Sequence, residues 1–215
     1  MEMKLVFLGP PGIGKGTHAE EVSKEFGIPK ISTGDMIREE IKKGSKLGKE
    51  MQKYTDKGLL VPDETVIRML RARIQLPDAK KGYILDGFPR TIRQAEELEK
   101  AEKITLVINM VADHKTIIAR ISNRVTCRKC GAIFNLLFVK PKKAGVCDEC
   151  GGELYTREDQ KPEVVADRLK VYERDTKPLI EFYRKKGLLV DLNCEGTKQE
   201  VEKKFNKLLE ERFKK

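Results

Sequence analysis

The chain has 215 residues, of which 39% are apolar and 36% are charged, and its formal net charge is +10. This length fits one core domain with insertions. No apolar run approaches the roughly 20 residues of a membrane span, and the first residues lack a secretory pattern, so we expect a cytoplasmic protein with no membrane partner. Basic and acidic residues are mixed along the predicted helices, without interleaved aromatic residues. We therefore expect phosphorylated small molecules as partners, and no nucleic acid.

Short apolar runs alternate with helical patterns along the chain. Strands are predicted at residues 4–8, 29–32, 83–86, 104–110 and 188–192. This alternation predicts an α/β fold, in which a five-stranded parallel sheet is covered by helices in a single core spanning residues 1–215. Two segments interrupt the pattern and are interpreted as insertions: residues 32–61, which are polar and helical, and residues 123–160. Pro178 is expected to break or kink the last long helical pattern.

The segment GPPGIGKGT at residues 9–17 lies between the first predicted strand and the first predicted helix. Its glycines allow consecutive backbone N–H groups to point at an anion, and the helix start adds its positive dipole end. Lys15 can reach the β- and γ-phosphates of a nucleoside triphosphate, which predicts a P-loop NTPase-like core. Gly16 separates Lys15 from Thr17, so Mg²⁺ is expected to rely on phosphate oxygens and water more than on a protein hydroxyl. The alternative is an ordinary glycine-rich turn.

A second motif stands at the end of the third predicted strand, where Asp86 follows the apolar residues 83–85. The carboxyl ends of parallel strands form the ligand-binding edge of an open sheet. In P-loop enzymes, an aspartate at this place holds the magnesium ion or its water. The alternative is a simple Asp-Gly turn.

Four cysteines have the spacing of a metal site: Cys127 and Cys130 form one C-x-x-C pair, and Cys147 and Cys150 form another. Four thiolates complete the tetrahedron of a Zn²⁺ ion and leave no open position, so the zinc is expected to be structural. Disulfides and an iron–sulfur cluster are the alternatives. Cys194 stands apart and is interpreted as a small buried apolar residue.

Several motifs, taken in order, resemble those of adenylate kinases of the long-lid, zinc-containing type. They are GPPGIGKGT at 9–17, ISTGDMIR at 31–38, KGLLVPD at 57–63, DGFPRT at 86–91, the four cysteines, DRL at 167–169 and EGTK at 195–198. The resemblance covers essentially the whole chain. It implies reversible phosphoryl transfer from MgATP to AMP, giving two ADP, by a monomer. Residues 32–61 would bind the nucleoside monophosphate, and residues 123–160 would form a zinc-containing lid that excludes water.

The resemblance also assigns roles to individual residues. The expected catalytic residues are Lys15, Asp86, Arg90, Arg124, Arg157 and Arg168. ATP is expected to contact Gly12, Ile13, Gly14, Lys15, Gly16, Thr17, Arg120, Arg124, Ile133, Phe134 and Lys198. AMP is expected to contact Thr33, Arg38, Leu59, Leu60, Val61, Gly87, Phe88, Pro89, Arg90, Gln94, Arg157 and Arg168. No general base is expected, because the attacking phosphate oxygen is already ionised near neutral pH.

Two positions depart from the family pattern. Many relatives carry two acidic residues in the lid after the position of Arg157, whereas one of this pair is Gln160 here. Many also carry two adjacent arginines at the start of the lid, whereas Val125 follows Arg124, which puts one phosphate contact in question.

Three other functions remain open on the sequence. A kinase for UMP or CMP would share most motifs and differ in the preferred monophosphate. A zinc-ribbon, nucleic-acid-binding ATPase would hydrolyse ATP when nucleic acid is added. A zinc-stabilised nucleotide sensor would bind nucleotides without turnover, but Lys15, Asp86 and the set of arginines favour an enzyme.

Overall fold

A computed structural model describes residues 2–160 and 162–213. The strands are β1 (Met3–Leu8), β2 (Lys30–Ser32), β3 (Gly82–Asp86), β4 (Leu106–Val111), β5 (Arg124–Cys127), β6 (Ile133–Asn135), β7 (Leu154–Tyr155) and β8 (Leu189–Asn193). The α-helices are α1 (Lys15–Phe26), α2 (Thr33–Lys42), α3 (Lys46–Thr55), α4 (Asp63–Ile74), α5 (Ile92–Ala101), α6 (His114–Ser122), α7 (Pro162–Val171), α8 (Pro178–Lys185) and α9 (Lys198–Phe213). Short 3₁₀ turns lie at Pro77–Ala79 and Glu158–Gln160.

The central sheet has the strand order β2-β3-β1-β4-β8, and every pairing in it is parallel. This confirms the predicted five-stranded parallel sheet, and the strand ends lie within two residues of the predicted ones. The central strand β1 pairs with β3 on one side and β4 on the other, so that Leu5 lies between Ile84 and Leu106. The phosphate loop leaves this central strand at its carboxyl end.

Helices cover both faces of the sheet because successive residues of the buried strands point to opposite sides. One face packs Leu5 and Phe7 against α1 and α9, and the other packs Val6 and Leu8 against α4, α5 and α8. All four of these β1 side chains are at most 2% exposed. A strand buried on both faces reads as a continuous apolar run, which is why β1 was detectable in the sequence.

The two segments interpreted as insertions have structures of their own. Residues 32–61 contain α2 and α3, which pack against each other. Residues 123–160 contain a small antiparallel sheet with the strand order β6-β5-β7. No helix in the described ranges is long and apolar enough to cross a membrane.

The predicted break at Pro178 is confirmed, and it takes an unusual form. Residues Tyr172–Thr176 form a π-helix after α7, and the backbone N–H of Lys177 donates to the carbonyl of Tyr172 at 2.8 Å. Pro178 then begins α8, where its missing N–H costs nothing because the first turn of a helix has no internal partner for it.

We predict that Phe205→Ala lowers the free energy of unfolding by about 3–5 kcal/mol, since a large buried ring is lost and a cavity is left. Phe205 is fully buried on α9, with its ring stacked 5.1 Å from that of Phe7 and 5.3 Å from that of His18. Denaturant unfolding measures the change. The control, Leu76→Ala, alters a side chain in a residue that is 48% exposed and should change stability by about 0.5 kcal/mol or less. Equal transition midpoints for the two variants would contradict the assignment of Phe205 to the packed core.

Candidate active site

The phosphate loop joins β1 to α1 in a conformation that requires glycine. Gly9, Gly12 and Gly14 all have positive φ angles, and a Cβ atom on Gly12 would lie 2.0 Å from Cγ1 of Ile121. Among the residues that the structure describes, no side chain caps the first turn of α1. The amide groups at this helix start are therefore suited to an anionic ligand.

Lys15 bends back over this loop. Its Nζ donates to the carbonyls of Gly9 at 2.7 Å and Pro10 at 2.9 Å. Burial lowers the pKa of Lys15 to about 7, and the charges of Arg90, Arg168 and Arg124 act in the same direction, against the opposing effect of Asp86. The side chain thus lies in a positive environment that suits an anion.

A cavity of about 1000 Å³ lies at the carboxyl ends of β1 and β3, bordered by α2, α3 and the small antiparallel sheet. With one exception, it is lined by every residue assigned to catalysis, ATP or AMP from the sequence. The exception is Phe88, which is 1% exposed and packs in the apolar layer with α4 and α5. Its large ring is buried in the core, and the expected contact of Phe88 with AMP stays a prediction.

Arg157 and Arg168 converge on one carboxylate of the small 3₁₀ turn. Asp159 accepts from Nε of Arg157 at 2.8 Å, and its second oxygen accepts from Nη1 of Arg168 at 2.8 Å. Burial acts to raise the pKa of Asp159, but the charges of Arg168 and Arg157 outweigh it and lower this pKa to about 2. Asp159 is therefore ionised and holds both guanidinium groups at the cavity.

Arg124 carries a buried guanidinium nitrogen that the described residues leave unsatisfied. Its Nη2 is buried and has no hydrogen-bond partner among the described residues. Burial lowers the pKa of Arg124 to about 10, and the charge of Arg157 acts in the same direction. A buried charged donor without a partner is costly, so this atom indicates an anionic ligand.

The two departures from the family pattern have clear structural places. Gln160 is 4% exposed, and with its amide turned to match its neighbours it accepts from Nε of Arg124 at 3.1 Å and donates to the carbonyl of Arg124 at 3.3 Å. The neutral amide thus orients Arg124 without adding a second carboxylate. Val125 pairs with Phe134 across β5 and β6.

Arg120 joins the phosphate loop to the region after β8. Its Nη1 donates to the carbonyl of Ile13 and its Nη2 to the carbonyl of Cys194, both at 2.9 Å. The ring of Phe138 lies 5.9 Å from its guanidinium carbon. Phe138 also lines the cavity, but it had no role in the sequence analysis, because an exposed aromatic residue in a hairpin carries no distinctive pattern.

On the opposite side of the cavity, Arg38 pairs with Asp35, and Nε of Arg90 donates to the carbonyl of Gly87 at 2.9 Å. Thr33 donates its hydroxyl hydrogen to the same carbonyl at 2.8 Å. The amide of Gln94 accepts from the backbone N–H of Arg90 at 2.7 Å. Two arginines and two oriented polar side chains therefore face one end of the cavity.

Two further charged residues of this region had no role predicted from the sequence. Nζ of Lys30 lies 2.9 Å from a carboxylate oxygen of Glu20 on α1, which connects β2 to the helix after the phosphate loop. Asp63, the first residue of α4, accepts from Nε2 of Gln94 at 2.7 Å. The residues of that pair are 31 positions apart, so no local periodicity could have revealed it.

The four cysteines come together in the small antiparallel sheet. The sulfur atoms of Cys127, Cys130, Cys147 and Cys150 all lie within 4.8 Å of one another, with one pair at 3.5 Å and another at 3.6 Å. Sulfur ligands at about 2.3 Å from zinc are about 3.8 Å apart in a tetrahedron, so the cluster fits Zn²⁺. Gly152 passes close by, and a Cβ atom there would lie 2.9 Å from Sγ of Cys127. By contrast, Cys194 is fully buried in the main core, as predicted.

A phosphate loop, an aspartate at the sheet edge and convergent arginines together define a P-loop phosphotransferase. A family model described as adenylate kinase matches residues 7–188. An adenylate kinase of Archaeoglobus fulgidus is 52% identical in an alignment that covers 96% of this chain and 99% of the relative. Adenylate kinases of Caldicellulosiruptor saccharolyticus and Carboxydothermus hydrogenoformans are 53% and 54% identical, covering 87% and 91% of this chain and 90% and 93% of the relatives. The chain belongs to the adenylate kinase family.

We predict that ATP binding takes up a proton at pH 8. The pKa of Lys15 is about 7 before a nucleotide binds, so Lys15 is mostly neutral at pH 8. A bound polyphosphate favours the charged form and raises this pKa, so affinity falls as pH rises above 7, by up to about tenfold per pH unit. Titration calorimetry at pH 8 in two buffers of different ionisation enthalpy measures the uptake. Equal binding heats in both buffers would contradict the prediction.

We predict that Cys130→Ser lowers the melting temperature and the zinc content well before it abolishes phosphoryl transfer. The buried core of the small sheet consists only of Cys127, Phe134 and Cys147 among the described residues, so it depends on the metal. Thermal unfolding, metal analysis and activity at low temperature measure the three effects. Lys129→Ser, between the two cysteines, is the matched control and should change none of them. Loss of activity at an unchanged melting temperature would rule out a structural metal.

Proposed function

We propose that this protein transfers the γ-phosphoryl group of MgATP to AMP, reversibly and with two ADP as products, and so balances the adenine nucleotides of the cell. The observation that carries the proposal is the buried, unpartnered guanidinium nitrogen of Arg124 in a cavity that also holds Lys15, Arg90 and Arg168. These cations suit a pair of nucleotides whose phosphates meet between them. Membership of the adenylate kinase family supports the same reaction.

The donor nucleotide is proposed to bind at the phosphate loop. Amide groups of residues 12–17 and Nζ of Lys15 hold the ATP phosphates, which displace Lys15 from the carbonyls of Gly9 and Pro10. Ile133, Phe134, Arg120 and Lys198 border the adenosine portion. Asp86 would hold Mg²⁺ or its water, and the bound ion would neutralise phosphate charge.

The acceptor is proposed to bind at the other end of the cavity. Arg38 and Arg90 hold the AMP phosphate, which replaces Asp35 as the partner of Arg38. The base lies between Thr33 and Gln94, flanked by residues 59–61 and by Gly87 and Pro89. Each of these residues lines the cavity.

The chemistry is positioning and charge neutralisation. An oxygen of the AMP phosphate attacks the γ-phosphorus in line, and ADP leaves from the other side. No side chain has to remove a proton, because the second pKa of a phosphate monoester is about 6. Arg124, Arg157 and Arg168 stabilise the charge of the transferring group, and their desolvation strengthens this interaction.

We further propose that residues 32–61 are the monophosphate-binding segment and residues 123–160 the lid. Closure of the lid brings Arg124 and Arg157 to the phosphates and excludes water, which would otherwise accept the phosphoryl group. A monomeric enzyme in the cytoplasm, where adenine nucleotides are consumed, fits this role.

We predict rapid ADP formation from MgATP with AMP, slower formation with CMP, UMP or GMP, and little with ATP alone. A coupled assay with the purified protein measures each rate.

Arg124→Lys keeps the charge but loses the planar fork of the guanidinium group, and should lower kcat about tenfold or more. Arg128→Lys is the matched control, because Arg128 lies on the outer face of the same segment and pairs with Glu153.

Two results would overturn the proposal. One is a faster rate with UMP or CMP than with AMP, which would assign a different acceptor. The other is the absence of transfer to any monophosphate together with ATP hydrolysis that requires nucleic acid.

A further inference from the structure

The amide of Gln94 is held in one orientation by two opposite partners. Its oxygen accepts from the backbone N–H of Arg90 at 2.7 Å, and its nitrogen donates to Oδ1 of Asp63 at 2.7 Å. A carboxylate only accepts and a backbone N–H only donates, so the reverse orientation would set like groups against each other at both ends. Gln94 is 2% exposed, so such a mismatch would be almost entirely buried and costly.

Asp63 is itself fixed by a closed set of contacts between α4 and α5. Its second oxygen accepts from the hydroxyl of Thr91 at 2.9 Å. The same hydroxyl oxygen accepts from the backbone N–H of Gln94 at 3.1 Å, which caps α5. The position of Asp63 therefore determines where the Gln94 nitrogen lies.

Two polar groups with defined roles then remain for a ligand. The Gln94 nitrogen carries two hydrogens, and Asp63 uses one of them, so a donor is left. The Thr33 hydroxyl gives its hydrogen to the carbonyl of Gly87, so its oxygen is left as an acceptor. Both residues line the cavity.

We propose that Asp63 is a specificity-determining positioning residue, which fixes the Gln94 amide so that the acceptor site selects a 6-aminopurine over a 6-oxopurine. This inference rests on the proposed function. Adenine offers an acceptor at N1 and a donor at the 6-amino group, which match the Gln94 donor and the Thr33 acceptor. A 6-oxopurine offers a donor at N1 and an acceptor at O6, so its N1 hydrogen opposes the Gln94 donor.

The probe pair is AMP and inosine monophosphate, which differ only at positions 1 and 6 of the purine. We expect Asp63→Leu to raise the KM for AMP about tenfold, because the Gln94 amide loses one of its two hydrogen-bond partners. The ratio of kcat/KM for AMP to that for inosine monophosphate should fall by a similar factor. The KM for ATP should not change. Glu64→Gln is the matched control, since this exposed neighbour pairs with Arg93 across the same two helices. Glu64→Gln should leave the KM for AMP and the preference for AMP over inosine monophosphate unchanged.

A double variant tests whether the hydrogen-bond donor at position 94 determines which purine is preferred. In Asp63→Asn/Gln94→Glu, the new carboxylate accepts from the Arg90 N–H and from the amide introduced on α4, and presents an acceptor to the base. We expect the preference to move toward inosine monophosphate by at least about tenfold. In Gln94→Glu alone, the carboxylates at positions 63 and 94 must share a proton, so activity with inosine monophosphate falls as pH rises. In the double variant, activity with inosine monophosphate should not fall as pH rises.

The outcomes separate this inference from the proposed function. If the wild type transfers to AMP but Asp63→Leu keeps its preference, or the double variant shows the same pH fall as Gln94→Glu, Asp63 only joins two helices and the inference is overturned. If the wild type transfers to neither nucleotide, the proposed function fails instead. Unfolding curves for each variant identify any change that comes from lost stability alone.

Discussion

The constraint on which this structure depends is the concentration of positive charge around one cavity. Two unit charges 4 Å apart repel by about 4 kcal/mol at an effective dielectric constant of 20, so several buried cations cannot converge without compensation. The protein supplies part of this compensation. Asp159 holds Arg157 and Arg168, backbone carbonyls hold Lys15, and Asp86 opposes the field at the sheet edge. Positive charge remains uncompensated above all at Arg124, and the negative charge of a polyphosphate would compensate it.

The parallel sheet makes such an arrangement possible because it is rigid and buried on both faces. It delivers the phosphate loop and Asp86 to the same edge from the neighbouring strands β1 and β3. The proposed lid is joined to this edge through Arg120. This residue donates to the phosphate loop, and its own carbonyl accepts from the side chain of Asn135 in β6 at 2.9 Å. The donor site and the cysteine-containing sheet are therefore connected through one residue.

Local sequence patterns were sufficient for the sheet, the phosphate loop and the cysteine cluster, because each depends on contiguous periodicity or short spacing. The arginines were identified only by their order along the chain, and geometry was needed to show that they converge. Side-chain pairs between distant positions were beyond the sequence. Asp63 and Gln94, or Gln160 and Arg124, meet because helices and turns dock in three dimensions. Phe88 lies within the DGFPRT motif, but its ring packs in the core while its neighbours Gly87 and Pro89 line the cavity.

The π-helix after α7 contacts both ends of the cavity through its neighbouring residues. Arg168 lies on α7, and the π-helix follows that helix directly. Thr176, at its end, donates its hydroxyl hydrogen to the carbonyl of Arg90 at 2.9 Å. The backbone of Arg90 thus contacts Thr176 through its carbonyl and Gln94 through its N–H. A shift of α7 that moves Arg168 toward the phosphates would act on the same peptide segment that orients the acceptor base. π-helices are rare and concentrate at functional sites, and here the π-helix places Thr176 against the backbone of Arg90 while α7 carries Arg168 to the same cavity.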